Sequence, residues 1–301
     1  MSVQIPDSFL VLGGDLRMDY LAAYLAQRYP LLRWRPNDGV SALEQAIQQG
    51  SHLVFPVPFS RDGATLTDAP KISIQALRSL LRPCHRSLSG WQIPKAITER
   101  CRQLGILTID WATLESVTRY NAVLTAEGAI VQGVLKGGRS LHSSRCCILG
   151  YGRCARALAL RLGPLAGKVT IAARSPLQRA LAQEDGFSAI ALTALKDQKH
   201  CFDLLFNTIP ATALSSEDTC CLAAQAVVLD LASGPLREHI ALPLPLDGQA
   251  YSCPGLPGKY FPKDAGEILA QATLGQIPDF PSSLDFTVIE KHSSSNLTGT
   301  P

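Results

Sequence analysis

The chain has 301 residues, 46% of them hydrophobic and 18% charged, which is enough for two domains with buried cores and excludes a disordered chain. Its net charge of +3, from 28 basic and 25 acidic residues, is too balanced to indicate a surface for nucleic acid or anionic membranes. The sequence has neither the apolar run of a transmembrane helix nor, in residues 1–6, a secretory signal pattern, so we expect a cytoplasmic protein.

Residues 1–118 alternate between short apolar runs and amphipathic helical patterns. Strands are predicted at 9–12, 31–34, 52–58 and 106–109. Helices are predicted at 21–29, 42–49, 74–81 and 93–104. Because strands that alternate with helices form parallel sheets with right-handed crossovers, this segment is predicted to be one α/β domain.

A second α/β domain is predicted at 146–275, after a connection at 119–145 that contains a helix at 125–135 and a turn. Its strands are predicted at 146–149, 169–173, 204–207, 227–231 and 249–252. Its helices are predicted at 156–162, 178–184 and 265–274. The tail, 276–301, is rich in Pro, Ser and Thr and is predicted to be frayed. The fold class is therefore α/β, with two Rossmann-like parallel-sheet domains flanking a cleft.

The nine cysteines form no Cys-x-x-Cys pair, and the adjacent pairs Cys146-Cys147 and Cys220-Cys221 lie in apolar segments. A zinc site needs ligands spaced around a turn. We therefore expect no metal site, and we expect buried thiols in a reducing compartment.

A glycine-rich loop follows the first strand of the second domain and directly precedes a helix. It consists of Gly150, Tyr151, Gly152, Arg153, Cys154 and Ala155. In a dinucleotide site the first glycine permits a tight turn, the second admits the pyrophosphate, and a small third residue lets helix and strand pack closely. The phosphates then lie on free amides at the helix N-terminus. The alternative is a tight strand-to-helix turn without a ligand.

The end of the next strand indicates which dinucleotide binds. NAD sites usually place Asp or Glu there, but this chain has Arg174 and Ser175. A guanidinium group and a hydroxyl suit a ribose 2′-phosphate, and Arg153 adds positive charge within the loop. NADP(H) is thus favoured over NAD(H), with a solvated surface role for Arg174 as the alternative.

Polar residues that follow a later strand are candidates for the nicotinamide half of the cofactor. Asn207, Thr208, Ile209 and Pro210 end the strand at 204–207, and ligands of such sheets lie outside the carboxyl ends of the strands. Asn207 has the alternative of bonding its own turn. Thr125 is either a nicotinamide contact or the N-cap of the linking helix.

Several motifs together resemble one family, the A subunit of dipicolinate synthase, over residues 9–275. They are Gly13-Gly14-Asp15-x-Arg17, Thr125-Ala126-Glu127-Gly128-Ala129, Gly150-Tyr151-Gly152-Arg153, Ala172-Ala173-Arg174, Phe206-Asn207-Thr208-Ile209-Pro210-Ala211, Asp230-Leu231-Ala232-Ser233, Pro254-Gly255-Leu256-Pro257-Gly258 and Pro262-Lys263. The resemblance implies synthesis of pyridine-dicarboxylic acid in the mother cell of a spore-forming bacterium, from dihydrodipicolinate or its hydroxylated tetrahydro precursor. It also implies a partner, the flavoprotein-like B subunit of dipicolinate synthase.

A dicarboxylate substrate calls for cationic groups, and Arg17 and Lys263 are our candidates. Each has the alternative of a solvated surface charge. Gly255 and Gly258, in a stiff loop with two prolines, are further candidates for substrate binding, and a plain turn is the alternative.

Oxidation of such a substrate also releases a proton, and Asp15 and Glu127 are the candidate acceptors. Asp15 has the alternative of capping the following helix. The alternative for Glu127 is a structural role in the first turn of the linking helix, where the helix dipole favours a carboxylate. The six histidines show no partner spacing and receive no catalytic role.

Three functions follow from this pattern. The first is an NADP(H)-dependent oxidoreductase subunit, and the second is a regulatory or scaffolding subunit for a flavoprotein that carries the redox step. The third, a hydroxyacid or alanine dehydrogenase, is disfavoured because those types place a His or Lys beside the substrate carbonyl. Homo-oligomerisation stays open.

Overall fold

A computed structural model describes residues 7–234, 236–240 and 248–278. By its contacts the chain forms two compact units: one holds the described residues up to Tyr120 and from Phe261 onward, and the other holds Asn121–Tyr260. The boundary after Tyr120 lies within a single helix. None of the helices in the described ranges is long and apolar enough to cross a membrane.

The first unit is built on a parallel sheet covered by helices. Its strands are β1 (Phe9–Leu12), β2 (Leu31–Trp34), β3 (His52–Val54), β4 (Thr65–Leu66), β5 (Ala69–Ser73), β6 (Ser87–Gly90) and β7 (Leu107–Asp110). Its N-terminal helices are α1 (Leu16–Ala26), α2 (Val40–Gln49), α3 (Ile74–Leu80), α4 (Lys95–Leu104) and the start of α5 (Glu115–Gly137). The sheet order is β2-β1-β3-β6-β7, and β4 pairs antiparallel with β5 outside it.

Both faces of this sheet are buried, as expected for a parallel sheet with helices on either side. Leu10 and Leu12 of β1 pack into one apolar cluster, and Phe9 and Val11 pack into the other. The strand order reverses between β1 and β3, and ligands of doubly wound sheets bind at such a reversal, beyond the carboxyl ends of the strands. The loops that begin at Gly13 and Phe55 therefore lie where this unit would hold a ligand.

The strand β6 was not predicted, because its sequence Ser-Leu-Ser-Gly has no apolar run. All four residues are nevertheless buried in the sheet. Its serines find partners within the protein: Ser87 Oγ lies 2.8 Å from Nδ1 of the buried His52. Tertiary pairing with β3 and β7 thus determines this strand, not its local pattern.

The second unit carries a six-stranded parallel sheet. Its strands are β8 (Arg145–Leu149), β9 (Lys168–Ala173), β10 (Ser188–Ala191), β11 (Phe202–Asn207), β12 (Leu222–Asp230) and β13 (Gln249–Ser252). Its helices after α5 are α6 (Arg153–Leu162), α7 (Pro176–Glu184), α8 (Leu236–His239) and α9 (Leu256–Tyr260). The order β10-β9-β8-β11-β12-β13 is that of a dinucleotide-binding Rossmann sheet, with its reversal between β8 and β11. The predicted α/β fold class is confirmed.

All nine cysteines are free, and five of them are buried. The adjacent pair in β8 is explained by strand alternation, since Cys146 and Cys147 enter the cores on opposite faces of the sheet. Burial raises the pKa of Cys146 to about 12, so this thiol stays protonated. Cys84, by contrast, is exposed.

The last described helix, α10 (Pro262–Gln276), differs from the prediction, which placed 265–274 in the second domain. In the structure it belongs to the first unit, because it packs along α1. A Cβ on Gly266 would lie 2.4 Å from the Arg17 carbonyl oxygen, so a glycine is required at this close approach. Trp111 also donates a 3.0 Å hydrogen bond to Thr273. The predicted tail lies outside the described residues from 279 onward.

Candidate nucleotide and substrate sites

The glycine loop of the second unit leaves open space beside a helix N-terminus. Gly150 follows β8 with φ +88°, and a Cβ there would lie 3.0 Å from Thr208 Oγ1 and 3.1 Å from Ile209 Cγ1. Gly152 is the N-cap of α6, and no heavy atom lies within 4 Å of the position its Cβ would take. Ala155 is fully buried beneath the loop. The loop therefore has the shape that a pyrophosphate requires.

Two other loop side chains point to structural roles. Tyr151 is buried, and its hydroxyl donates a 2.6 Å hydrogen bond to Asp185, which also pairs with Arg156 at 2.7 Å. Hydrogen bonding from Arg156 lowers the pKa of Asp185, whereas burial, followed by the bond to Asp185, raises the pKa of Tyr151. Burial likewise raises the pKa of the Cys154 thiol. Arg153 is exposed at the first position of α6.

Two guanidinium groups lie at the carboxyl end of β9. Arg174 is exposed and donates from Nη2 to the Thr212 carbonyl at 2.8 Å. Arg179, which the sequence analysis missed, donates from Nη1 to the carbonyls of Ala173 and Arg174 at 2.9 and 2.7 Å. Ser175 caps α7 by accepting from the Gln178 amide. Within the described parts of the chain neither arginine forms an ion pair with a carboxylate, so both charges are available to a phosphate.

Arg179 was missed because it lies in the first turn of α7 and not directly at the end of β9. Its spacing from Ser175 on α7 is the signal that would have found it, since residues four apart share one face of a helix.

At the end of β11, Asn207 is fully buried and its amide is engaged within the protein. Its Nδ2 donates to Asp230 Oδ1 at 2.8 Å and to the Ile209 carbonyl at 3.1 Å, and its Oδ1 accepts from the Ile209 amide. The alternative role of bonding its own turn is therefore present. Thr208 donates to the Leu149 carbonyl, and Pro210 is exposed. Contact of Asn207 and Thr208 with a nicotinamide ribose stays a prediction, as does cofactor binding by Ile209 and Pro210.

In the first unit, Asp15 and Arg17 form an ion pair where the strand order reverses. Asp15 is the N-cap of α1, as its alternative role required, and accepts from the Arg17 amide, Nε and Nη2. Arg17 is buried, and its Nη2 also donates to the Val57 carbonyl at 3.0 Å. Its Nη1 forms no hydrogen bond with any residue that the structure describes. That donor is therefore the one a substrate carboxylate could use.

Lys263 is exposed at the second position of α10 and not in a loop, as the sequence had suggested. It lies one turn before Gly266, where α10 contacts the backbone of Arg17. The structure therefore places both candidate cations on one pair of packed helices.

Thr125 and Glu127 lie well inside α5, so the expected helix start at 125 is wrong. The helix begins at Glu115, in a segment too polar to show apolar periodicity. Thr125 is not an N-cap, because its hydroxyl donates to the Asn121 carbonyl at 2.7 Å. Glu127 is too far from the helix N-terminus for a first-turn dipole role, and it pairs with Arg161 at 3.4 Å.

The Pro-Gly-Leu-Pro-Gly motif is only partly a loop. Gly255 has φ +65° and precedes α9, while Gly258 lies inside α9. A Cβ on Gly128 would lie 2.9 Å from the Cβ of Leu256, so this motif packs against the small residues of α5. Two motifs that are distant in sequence therefore meet within the second unit.

His239 was predicted to have no catalytic role, and its Nδ1 lies 2.8 Å from Oδ2 of Asp230. Both residues are buried, at the edge of the sheet next to Asn207. Their separation of nine positions conceals the pair in the sequence. The sequence signal that could have found this pair is the position of Asp230, a carboxylate at the end of an apolar strand.

Comparison with known proteins tests the family resemblance that the motifs predict. No protein-family profile matches the chain. Over 156 residues it is 31% identical to the dipicolinate synthase A subunit of Bacillus subtilis strain 168, and this alignment covers 52% of each protein. The chain is similar to the A subunit of dipicolinate synthase. The predicted resemblance is confirmed, although the match spans only about half the length of that curated relative.

Solved structures share the fold. The crystal structure of the dipicolinate synthase A subunit from Bacillus halodurans has a TM-score of 0.72 at 19% identity, covering 92% of this chain and 99% of that one. A transhydrogenase from Sinorhizobium meliloti has a TM-score of 0.59 at 12% identity, covering 89% and 92%. The chain therefore shares its fold with both of these structures.

Proposed function

We propose that the chain is an NADP(H)-dependent oxidoreductase subunit that oxidises dihydrodipicolinate, or its hydroxylated tetrahydro precursor, to dipicolinate. The observation that carries this proposal is the open space at Gly152, at the strand-order reversal of a Rossmann sheet. A phosphate fits where a Cβ would project, and the amides of α6 are aligned to bond it. The hydroxylated precursor would first lose a water molecule to give dihydrodipicolinate. Bound NADP⁺ would then accept the hydride from dihydrodipicolinate, and the remaining proton would pass to a base or to water.

The choice of NADP(H) rests on the end of β9. Arg174 and Arg179 place two cations there, and Ser175 adds a hydroxyl. A 2′-phosphate would pair with the guanidinium groups, whereas an NAD site would carry an acid at this position. The named relative supports the choice of substrate, and Arg17 Nη1 in the first unit is a suitable donor for one carboxylate.

The setting follows from the same resemblance. We place the chain in the cytoplasm of the mother cell during sporulation, in a hetero-oligomer with the flavoprotein-like B subunit. The designation of the curated relative as an A subunit supports an assembly of more than one kind of chain.

One observation favours a second candidate, an NADP(H)-binding regulatory or scaffolding subunit. Both proton acceptors that the sequence suggested, Asp15 and Glu127, are ion-paired. Each carboxylate therefore contacts a guanidinium group of its own unit, Arg17 for Asp15 and Arg161 for Glu127. The flavoprotein-like partner would then carry the redox step.

A turnover assay separates the two candidates. Freshly prepared substrate and NADP⁺ are mixed with the chain alone, with the flavoprotein-like partner alone and with both, and pyridine and NADPH absorbance are followed. The first candidate predicts both products from the chain alone. It also predicts that Arg17→Gln raises KM, whereas Arg28→Gln, an exposed arginine just after α1, leaves KM unchanged. Formation of pyridine by the partner alone would refute it.

A further inference from the structure

The segment from Asn207 to Leu214 follows β11 and borders the nucleotide loop. Its first turn contacts Gly150, since Thr208 Oγ1 and Ile209 Cγ1 lie about 3 Å from the position of a Gly150 Cβ. Its later part presents the Thr212 carbonyl to Arg174 at 2.8 Å. The conformation of this one segment therefore shapes the phosphate loop and holds the arginine proposed to bind the 2′-phosphate.

A buried polar network fixes the start of the segment. Asn207 bonds both the amide and the carbonyl of Ile209, and it donates to Asp230 Oδ1 at 2.8 Å. The other carboxylate oxygen of Asp230 lies 2.8 Å from His239 Nδ1. Asp230 and Asn207 are fully buried, and His239 is 3% exposed. In such surroundings a lost partner is costly, because the remaining charge is buried without compensation.

The backbone of the same histidine fixes the other end. The His239 carbonyl accepts from the amides of Ala213 and Leu214, at 2.9 and 3.2 Å, and Leu214 forms a bridge with Ile240. His239 therefore ties down both ends of the segment, one through its ring and the other through its carbonyl.

We infer that His239 is a positioning residue for the nucleotide site. Its Nδ1 donates to Asp230, Asp230 orients Asn207, and Asn207 sets the turn beside Gly150. With both ends held, Thr212 keeps Arg174 at the ribose. This inference rests on the proposed binding of NADP(H), and it assigns no contact between His239 and the nucleotide.

Isosteric variants test which ring nitrogen matters. The amide nitrogen of Asn occupies the place of Nδ1, whereas that of Gln occupies the place of Nε2. The full chain is titrated with NADPH and NADH. His239→Gln is expected to raise the Kd for NADPH by about tenfold or more, and the Kd for NADH by less, since a hydrogen bond to a charged group is lost. For His239→Asn, the Kd for NADPH is expected to stay within about threefold of the wild-type value, a smaller change than the loss of one such bond would cause.

Controls separate positioning from a general loss of structure. His142→Gln, at an exposed histidine of the same unit, should bind as wild type. Thermal unfolding is measured for every variant. If His239→Gln folds poorly, Asp230→Asn, which weakens the same network, replaces it and should show the same loss of NADPH affinity. Equal affinity for all His239 variants, or equal loss in Asn and Gln, would overturn the inference while leaving the proposed function in place. A wild-type chain that binds neither nucleotide would overturn both.

Discussion

Alanine substitutions at the two glycines of the loop should have opposite effects on stability and binding. At Gly152 the backbone is extended, with φ −83° and ψ −171°, and nothing lies within 4 Å of the new methyl group. Any residue adopts this conformation, so the fold tolerates Gly152→Ala. The cost is that of Ala at an N-cap, less than about 1 kcal/mol in the free energy of unfolding.

The same methyl group would occupy the space assigned to the pyrophosphate. Loss of one charge-assisted hydrogen bond from the loop costs about 1.5–3 kcal/mol, which corresponds to roughly a 10- to 150-fold increase in the Kd for NADPH. Gly152→Ala should therefore lose the nucleotide and keep the fold.

Gly150→Ala is the matched comparison. At φ +88° a side chain is strained by about 1–2 kcal/mol, and crowding against Thr208 and Ile209 adds about 1–3 kcal/mol. The free energy of unfolding should fall by about 2–5 kcal/mol, the sum of these two effects.

Urea unfolding and NADPH fluorescence titration of both variants provide the assay. We expect Gly152→Ala to be stable but to bind NADPH poorly, and Gly150→Ala to be destabilised. Wild-type NADPH affinity in Gly152→Ala would refute the placement of the phosphates at this loop.

Three further predictions follow from particular contacts. Arg174→Asp should reverse the preference for NADPH over NADH in a competition titration, because it replaces a cation with an anion at the ribose; an unchanged preference would contradict this. Gly266→Ala should lower the free energy of unfolding by about 1–3 kcal/mol or more, since its Cβ would meet the Arg17 carbonyl at 2.4 Å. Burial lowers the pKa of His85, so below about pH 6.5 the unfolded chain binds a proton that the folded chain does not. The free energy of unfolding should therefore fall by up to about 1.4 kcal/mol for each pH unit that the pH decreases. Urea unfolding from pH 8 to pH 5 measures this dependence, and His85→Gln should remove the contribution of His85 to it.

Local signals in the sequence were sufficient for the central strands and the glycine loop. The apolar runs in β1, β8 and β11 are continuous because both faces of each sheet are buried. Gly150 and Gly152 stand directly between such a strand and a helix. For these elements, pattern and packing agree, and the prediction needed no knowledge of distant contacts.

Elements determined by distant contacts were not predictable in this way. The helix α10 was placed in the wrong unit because only the close approach of Gly266 to α1 decides its partner. The strand β6 is too polar to show a pattern, and its serines are satisfied across the sheet. The ion pairing of Glu127 depends on Arg161, from another helix, and the contact between His239 and Asp230 depends on a turn that no local periodicity encodes.

The most direct test of the central claim is an equilibrium titration of the unmodified chain with NADPH and NADH, in the absence of any partner. We expect saturable binding of both nucleotides, with NADPH bound more tightly by about tenfold or more, as an added ion pair with a phosphate would give. Absence of binding for both nucleotides would contradict it.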